Sequence, residues 1–200
     1  MGLKERINLI EVPDTVPQRG NRITRFLGQA YMAAIGWRLA GELPDLAKFV
    51  LVLAPHTSNV DFLVGIGPLF ALGLRLSFMA KSALFWEPFG TYLRWIGAVP
   101  VKRSAAGGAV REALMQFEER DKFILLITPE GTRKKVTRWK TGFHRIATKA
   151  GVPVVPLTFD YGHREYRFGT PLTPTDDMEG DIKTLQAFFN AEQARNPDRY

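Results

Sequence analysis

The 200-residue chain has no cysteine and three histidines. It also has no apolar run of the roughly 20 residues that a membrane-spanning helix needs. The lack of cysteine excludes a thiol nucleophile, thiolate metal sites and a disulfide framework. Nothing marks an oxidising compartment, so the cytoplasmic side is the expected location. Met1 to Asp14 carries Lys4, Glu5, Arg6 and Glu11 without a long apolar core, which is not the pattern of a signal peptide. Internal repeats, low-complexity tracts and interdomain linkers are missing too. Acidic residues are in the minority, 20 against 27 Lys and Arg, giving a net charge of +7 and a pI near 9.8. That excess favours anionic partners: nucleic acid, an acidic membrane surface or phosphorylated substrates. With 46% hydrophobic and 24% charged residues, the composition is that of a globular domain able to form a full core.

The apolar residues follow two periods. Short runs rich in β-formers lie at Phe49–Ala54, Leu76–Ala80, Ala98–Val101, Phe123–Thr128 and Val154–Phe159. Helical patterns fall between them, at Asn59–Leu74, Phe89–Ile96, Ala109–Arg120 and Gly142–Ala150. Continuous apolar strands separated by helices predict an α/β fold, a mostly parallel or mixed central sheet flanked by helices. Gly162 to Leu172 is expected to add an edge strand or hairpin, and Asp176 to Gln193 a last helix with Thr175 as its N-cap. Phe62–Leu74 reads as a buried helix in preference to a membrane contact. Arg22 to Glu42 reads as a basic amphipathic helix, with Ile23, Phe26, Leu27, Ala30, Tyr31, Ala34 and Trp37 at three- and four-residue spacing. It suits a membrane interface and a docked helix equally well. The expected division is an N-terminal segment, 1–44, and a catalytic domain, 45–200.

Four stretches carry possible chemistry. In Ala54-Pro55-His56-Thr57-Ser58-Asn59-Val60-Asp61, five residues turn about 500° on a helix, so His56 and Asp61 share no helical face. They meet only if His56 stays in the loop and Asp61 enters the first helical turn, with Ser58 or Asn59 capping. A histidine oriented by a carboxylate is a general base for a hydroxyl; the plainer alternative is a capping Asp near an unrelated loop His. Gly97 to Arg103 is an apolar strand ending in Lys102 and Arg103, either solvated charges or ligand-binding cations. Phe123–Thr128 runs into Pro129-Glu130-Gly131-Thr132-Arg133. There Gly131 permits a turn, Thr132 offers a hydroxyl and Arg133 a fork suited to phosphate. A basic turn with Glu130 pairing Arg133, or a nucleic-acid patch extended by Lys134, Lys135, Arg138 and Lys140, remains open there. In Val152-Pro153-Val154-Val155-Pro156, two prolines allow an edge or bulged strand bordering a lipid-shaped groove, although a core strand is favoured. The first three stretches each follow the carboxyl end of a predicted parallel strand, which puts a base and anion-binding arginines on one edge beside apolar neighbours.

In this order, His56-x4-Asp61, Gly97 to Arg103, Glu130-Gly131-Thr132-Arg133 and Val152 to Pro156 resemble the four blocks of the glycerolipid acyltransferases. The chain looks most like the bacterial 1-acylglycerol-3-phosphate acyltransferases of the PlsC type. Smaller echoes are Lys81 after the second strand, Pro88-Phe89-Gly90 and Trp139-Lys140-Thr141-Gly142. The resemblance implies that His56, held by Asp61, deprotonates a lysophospholipid hydroxyl, which then attacks the thioester of acyl-CoA or acyl-carrier protein. Arg103 and Arg133 would hold the acceptor's phosphate, with Glu130, Gly131, Thr132, Lys81 and Lys140 around them and Pro153 bordering the acyl site. Neither a metal nor a cofactor beyond the acyl donor is implied, and no acyl-enzyme, in keeping with the absent cysteine and Gly-x-Ser-x-Gly elbow. Ala54-Pro55 stands where many phosphatidate-forming members have Asn, and Lys102 where Asp is frequent. The acceptors implied are therefore lysophosphatidic acid first, then other lysolipids such as lyso-ornithine lipid, or a small-molecule hydroxyl or amine.

Two readings of other kinds stand beside this one. A catalytically silent lipid-binding protein would share the fold. A nucleic-acid-binding domain would use Arg133–Lys140, Lys102 and Arg103, but no recognisable RNA or DNA module accompanies those charges, so nucleic acid is not an expected partner. The expected partners are an anionic membrane surface, the lysophospholipid and the acyl donor, with peripheral attachment at the cytoplasmic face.

Overall fold

The computed structural model describes residues 2–101 and 107–200, with Lys81 and Val101 described by backbone alone. The strands are β1 (Arg38–Ala40), β2 (Lys48–Leu53), β3 (Leu76–Lys81), β4 (Ala98–Val101), β5 (Phe123–Ile127), β6 (Val154–Asp160) and β7 (Glu165–Phe168). They form one sheet in the order β1-β7-β6-β2-β5-β3-β4. From β6 to β4 all neighbours are parallel; β7 runs antiparallel to β6, and β1 parallel to β7. The helices are α1 (Leu3–Arg6), α2 (Arg22–Ile35), α3 (Val60–Ala71), α4 (Phe89–Trp95), α5 (Gly108–Glu119), α6 (Gly142–Ala150) and α7 (Met178–Gln186). This is the expected mixed sheet with helices on both faces.

β2 explains the layering. Phe49, Leu51 and Leu53 point to one face and join Met32, Leu39, Val64, Leu69, Leu157 and Phe159 in a core beneath α2 and α3. Val50, Val52 and Ala54 point to the other face and pack with Ala113 and Phe117 of α5 and Phe143 and Ile146 of α6. A strand buried on both faces has no polar alternation, which is why it reads as a continuous apolar run.

Two expectations are corrected, and the favoured reading of the proline-containing strand is upheld. The helix from Arg22 ends at Ile35, because Gly36 takes a left-handed conformation (φ 72°) and caps it. The chain then changes period: Trp37 and Leu39 are buried, Arg38 is exposed, and Arg38–Ala40 pair with β7. Residues before 45 thus supply a strand of the sheet, and Ile7, Val16 and Met32 of its core. The last helix spans Met178–Gln186 and is capped by Asp177, whose carboxylate accepts from Gly180 N–H at 2.9 Å. Thr175 is engaged elsewhere, its hydroxyl donating to Asp181 and accepting from Asp177 N–H. The proline-containing strand β6 is central and wholly buried, so the core reading holds over the edge reading. Pro153 precedes it, and Pro156 sits where β7 has just ended, accepting from Gly169 N–H at 2.9 Å.

Candidate active site

Pro55 leaves β2 buried, and the chain loops through His56 to Asn59 before α3 begins. Ser58 Oγ accepts from Val60 N–H at 3.1 Å and stabilises that start. Asp61 therefore lies in the first turn of α3 and His56 in the loop, the one arrangement in which they can meet. His56 Nδ1 is 3.0 Å from Asp61 Oδ2. The His56 side chain is 16% exposed and that of Asp61 2%. Because Nδ1 faces the carboxylate, Nε2 is the ring nitrogen left for a substrate.

Burial opposes the Asp61 charge, but donors from three directions outweigh it. His56, Tyr161 Oη (2.7 Å to Oδ1) and Ser58 N–H (3.1 Å to Oδ2) hold its pKa below the ordinary carboxylate value. Tyr161 follows the carboxyl end of β6, and its own hydroxyl is pushed up by burial and by the Asp61 hydrogen bond. The Tyr161 ring is fixed in turn by Trp37, edge to face at 4.9 Å. A clasp from the C-terminal segment holds the loop: Asn196 N–H donates to Thr57 Oγ1 and Asn196 Nδ2 to Thr57 O, each at 3.1 Å.

β5 lies next to β2, so the Thr128–Arg133 turn emerges beside His56. Glu130 is buried and its Oε2 accepts from His56 N–H at 2.9 Å. Burial raises the Glu130 pKa to about 7, against the pull of that hydrogen bond. Gly131 takes φ 64°, and a Cβ there would lie 2.6 Å from Lys140 Nζ, so the lysine runs across the glycine. Lys140 N–H closes the turn onto Pro129 O at 2.8 Å. Thr132 and Arg133 are exposed at its tip.

A cavity of about 170 Å³ opens between α3 and the sheet. His56, Asp61, Thr128 and Arg133 supply its polar lining; Leu51, Leu53, Phe62, Leu69, Leu126, Leu157 and Phe159 contribute most of the rest. Of the residues singled out in the sequence, His56, Asp61 and Arg133 line this cavity, while Glu130 holds the His56 backbone from outside it and borders a separate hollow with Trp139 and Tyr200. Gly131 and Lys140 border a second cavity on the opposite face of the sheet, with Thr128 and Phe143. The backbone of Lys81 ends β3 on the same edge as His56. Arg103 lies outside the described residues. Pro153 is at the other end of β6: Val154 pairs with Val50 and Leu157 with Leu53, so β6 contributes Leu157 and Phe159 to the cavity wall and Pro153 does not reach it. Among the described residues, no three His, Cys, Asp or Glu side chains cluster to hold a metal. Sequence reasoning missed Tyr161, Thr128 and Asn196. For Tyr161 the signal was available, since it follows a predicted strand's carboxyl end as His56 does.

The comparisons agree with this geometry. A family model described as Acyltransferase matches residues 39–160. The 1-acyl-sn-glycerol-3-phosphate acyltransferase of Escherichia coli is 29% identical over 54% of this chain and 45% of its own length. That of Haemophilus influenzae is 25% identical over 74% of this chain and 64% of its own. The chloroplastic enzyme BAT2 of Brassica napus is 34% identical over 52% of this chain and 31% of its own. The chain thus spans between a third and two thirds of these relatives. The crystal structure of the LPA acyltransferase PlsC from Thermotoga maritima has the same fold, with a TM-score of 0.59 at 22% identity over 84% of this chain and 77% of that one. With the matched region taking in more than half of the sequence and both members of the His56–Asp61 pair, the chain belongs to the acyltransferase family.

Proposed function

We propose that this protein transfers a fatty acyl group from acyl-CoA or acyl-carrier protein to the free hydroxyl of a lysophospholipid, with 1-acylglycerol-3-phosphate the first candidate. The observation that carries this reading is the cavity in which a His–Asp pair and an arginine meet an otherwise apolar lining. An acyl chain fills the apolar part, Arg133 attracts the acceptor's phosphate, and Nε2 of His56 takes the proton from its hydroxyl. The oxygen attacks the thioester carbonyl. The tetrahedral intermediate collapses, expelling the thiolate, which recovers the proton from the imidazolium that Asp61 has stabilised. Holding both substrates in one dry groove supplies much of the rate.

The reaction surface is a membrane, and the support is α2. Its apolar residues face outward, Ile23 being 69% exposed and Phe26 and Leu27 each 59%. The opposite side packs through Gly28 and Met32. Arg22 flanks that outward face, and the whole chain carries +7. Among the described residues no helix is long and apolar enough to cross a bilayer. Peripheral attachment at the cytoplasmic face is part of this proposal, and its support is the exposed apolar face of α2.

Thiol release from palmitoyl-CoA with lysophosphatidic acid tests the reaction, because a protein without cysteine leaves a thiol reagent only the product to detect. Release should require both the acceptor and His56, and His56→Ala should abolish it while the circular dichroism spectrum remains that of the folded wild type. Release by His56→Ala at the wild-type rate would remove the base. No release with any thioester donor or lysolipid would favour the lipid-binding reading.

A further inference from the structure

At the sheet edge opposite His56, where β3 and β4 begin, a cleft of about 400 Å³ lies between α2, α4 and the start of the sheet. Arg19, Arg75, Arg94 and Arg120 line it, and no acidic residue does. Arg94 is paired with Glu87 at 2.8 Å. Among the described residues, Arg19, Arg75 and Arg120 have no carboxylate partner. Arg19 lies across Phe70 and Trp95, 5.7 and 5.5 Å from their ring centres, and donates to Trp95 O. Its Nη2 is buried and bonded to nothing. Burial, then the neighbouring Arg75, pull the Arg19 pKa below its ordinary value.

A buried donor without an acceptor and unneutralised guanidinium groups facing one space are each unfavourable alone. Both are relieved by an anion, and the guanidinium fork matches phosphate best. β3 spans about 20 Å, so this cleft is not the place where Arg133 meets an acceptor. Its rim includes Gly20 and Thr24, next to the outward face of α2, and Trp95, which is 57% exposed.

We propose that the cleft of Arg19, Arg75 and Arg120 is a second phosphate site, occupied by the headgroup phosphate of an anionic phospholipid in the bilayer beneath α2 and α4. The choice of a lipid over a free phosphate rests on the membrane reading above. Trp95 and α2 then sit at the depth where aromatic and amphipathic groups are at ease, while the arginines reach the headgroups.

The test measures sedimentation of the full chain with vesicles of phosphatidylcholine, alone and mixed with phosphatidylglycerol. Among the described residues Arg75 and Arg120 have no carboxylate partner, and Arg120 stacks on Phe123 at 5.1 Å, a contact of about 0.5–1 kcal/mol, so Arg75→Gln with Arg120→Gln should keep the thermal midpoint within a few degrees of wild type. This double variant should lose about tenfold or more in affinity for mixed vesicles, and Arg75→Lys with Arg120→Lys should recover only part of it. Full recovery by the lysine pair would reduce the cleft to diffuse surface charge and overturn the site, as would wild-type binding by the glutamine pair. If inorganic phosphate raises the midpoint of the wild type but not of the glutamine pair, and vesicle binding is unchanged, the occupant is soluble and the lipid assignment falls. If the wild type ignores mixed vesicles altogether, the membrane reading falls with it.

Discussion

Asp61 combines deep burial with a lowered pKa because Tyr161 and Ser58 donate to it and the His56 ring lies 3.0 Å from its Oδ2. Its folded pKa is lowered, so its contribution to stability is present above the unfolded pKa and is lost as pH falls through the folded one. Tyr161→Phe removes one donor to a charged acceptor, a bond of about 1.5–3 kcal/mol. The expected result is a loss of stability of that order at neutral pH, with kcat lowered several-fold and KM for the acceptor unchanged. Chemical denaturation and initial rates check both halves. Glu130 runs the other way. Its folded pKa of about 7 lies above the ordinary 4.5, so the folded state binds more protons than the unfolded one between those values. The strain of ionising it therefore grows as pH rises from 4.5 to 7, to about 3 kcal/mol. Glu130→Gln keeps an oxygen to accept from His56 N–H and cannot ionise. Its thermal midpoint should match wild type near pH 5 and exceed it at pH 8; equal midpoints at both would mean that Glu130 ionises without cost. His56, Asp61 and the Glu130 turn were legible in the sequence because each follows an apolar strand. The role of Glu130 was not: its partner is a backbone N–H, and only the adjacency of β2 and β5 brings it there.

Among the elements, α2 shows what spacing alone leaves open. An apolar stripe at helical spacing normally faces the core, yet here Ile23, Phe26 and Leu27 face outward and the helix docks by its small-residue side. A Cβ on Gly28 would lie 2.3 Å from the Ala71 backbone nitrogen at the end of α3. In an isolated helix Gly→Ala is favourable by about 1 kcal/mol. Here Gly28→Ala should instead destabilise the protein by about 1–3 kcal/mol, because backbone has to move before the methyl fits. A stabilised Gly28→Ala variant would mean that α2 does not pack on α3 in solution. The end of α2 was hidden for a related reason. Trp37 continues the three- and four-residue spacing of the stripe but belongs to a strand-like alternation, and Gly36 is the only local sign of the change. The β6 prolines were similarly ambiguous, since their cost depends on which neighbours need a donor, and that is fixed by where β7 stops.

At the scale of the whole molecule, the sheet separates two jobs. The carboxyl ends of β2 and β5 hold the His–Asp pair and the Glu-Gly-Thr-Arg turn, while α2, α4 and the loop before α4 present Ile23, Phe26, Leu27, Trp86 and Trp95 to solvent. The cavity beside His56 extends along the sheet past Leu69 and Ile96, beneath α3. Deleting residues 1–42 would be a poor test of attachment, because it also removes Ile7, Val16 and Leu39 from the core and β1 from the sheet. Replacing Ile23, Phe26 and Leu27 by Ser isolates the surface, since their side chains already face solvent. Each apolar side chain is worth about 1.5–3 kcal/mol when fully buried. Even partial insertion of three should make the loss of vesicle affinity a hundredfold or so. The thermal midpoint should hold, and thiol release should fall with vesicle-borne acceptor while remaining near wild type with a micellar one. Unchanged sedimentation would move the attachment to another face of the molecule. Because the apolar contribution resists screening and the arginine contribution does not, added salt should weaken vesicle binding by the same factor in the triple variant and the wild type, the two contributions adding as independent free energies.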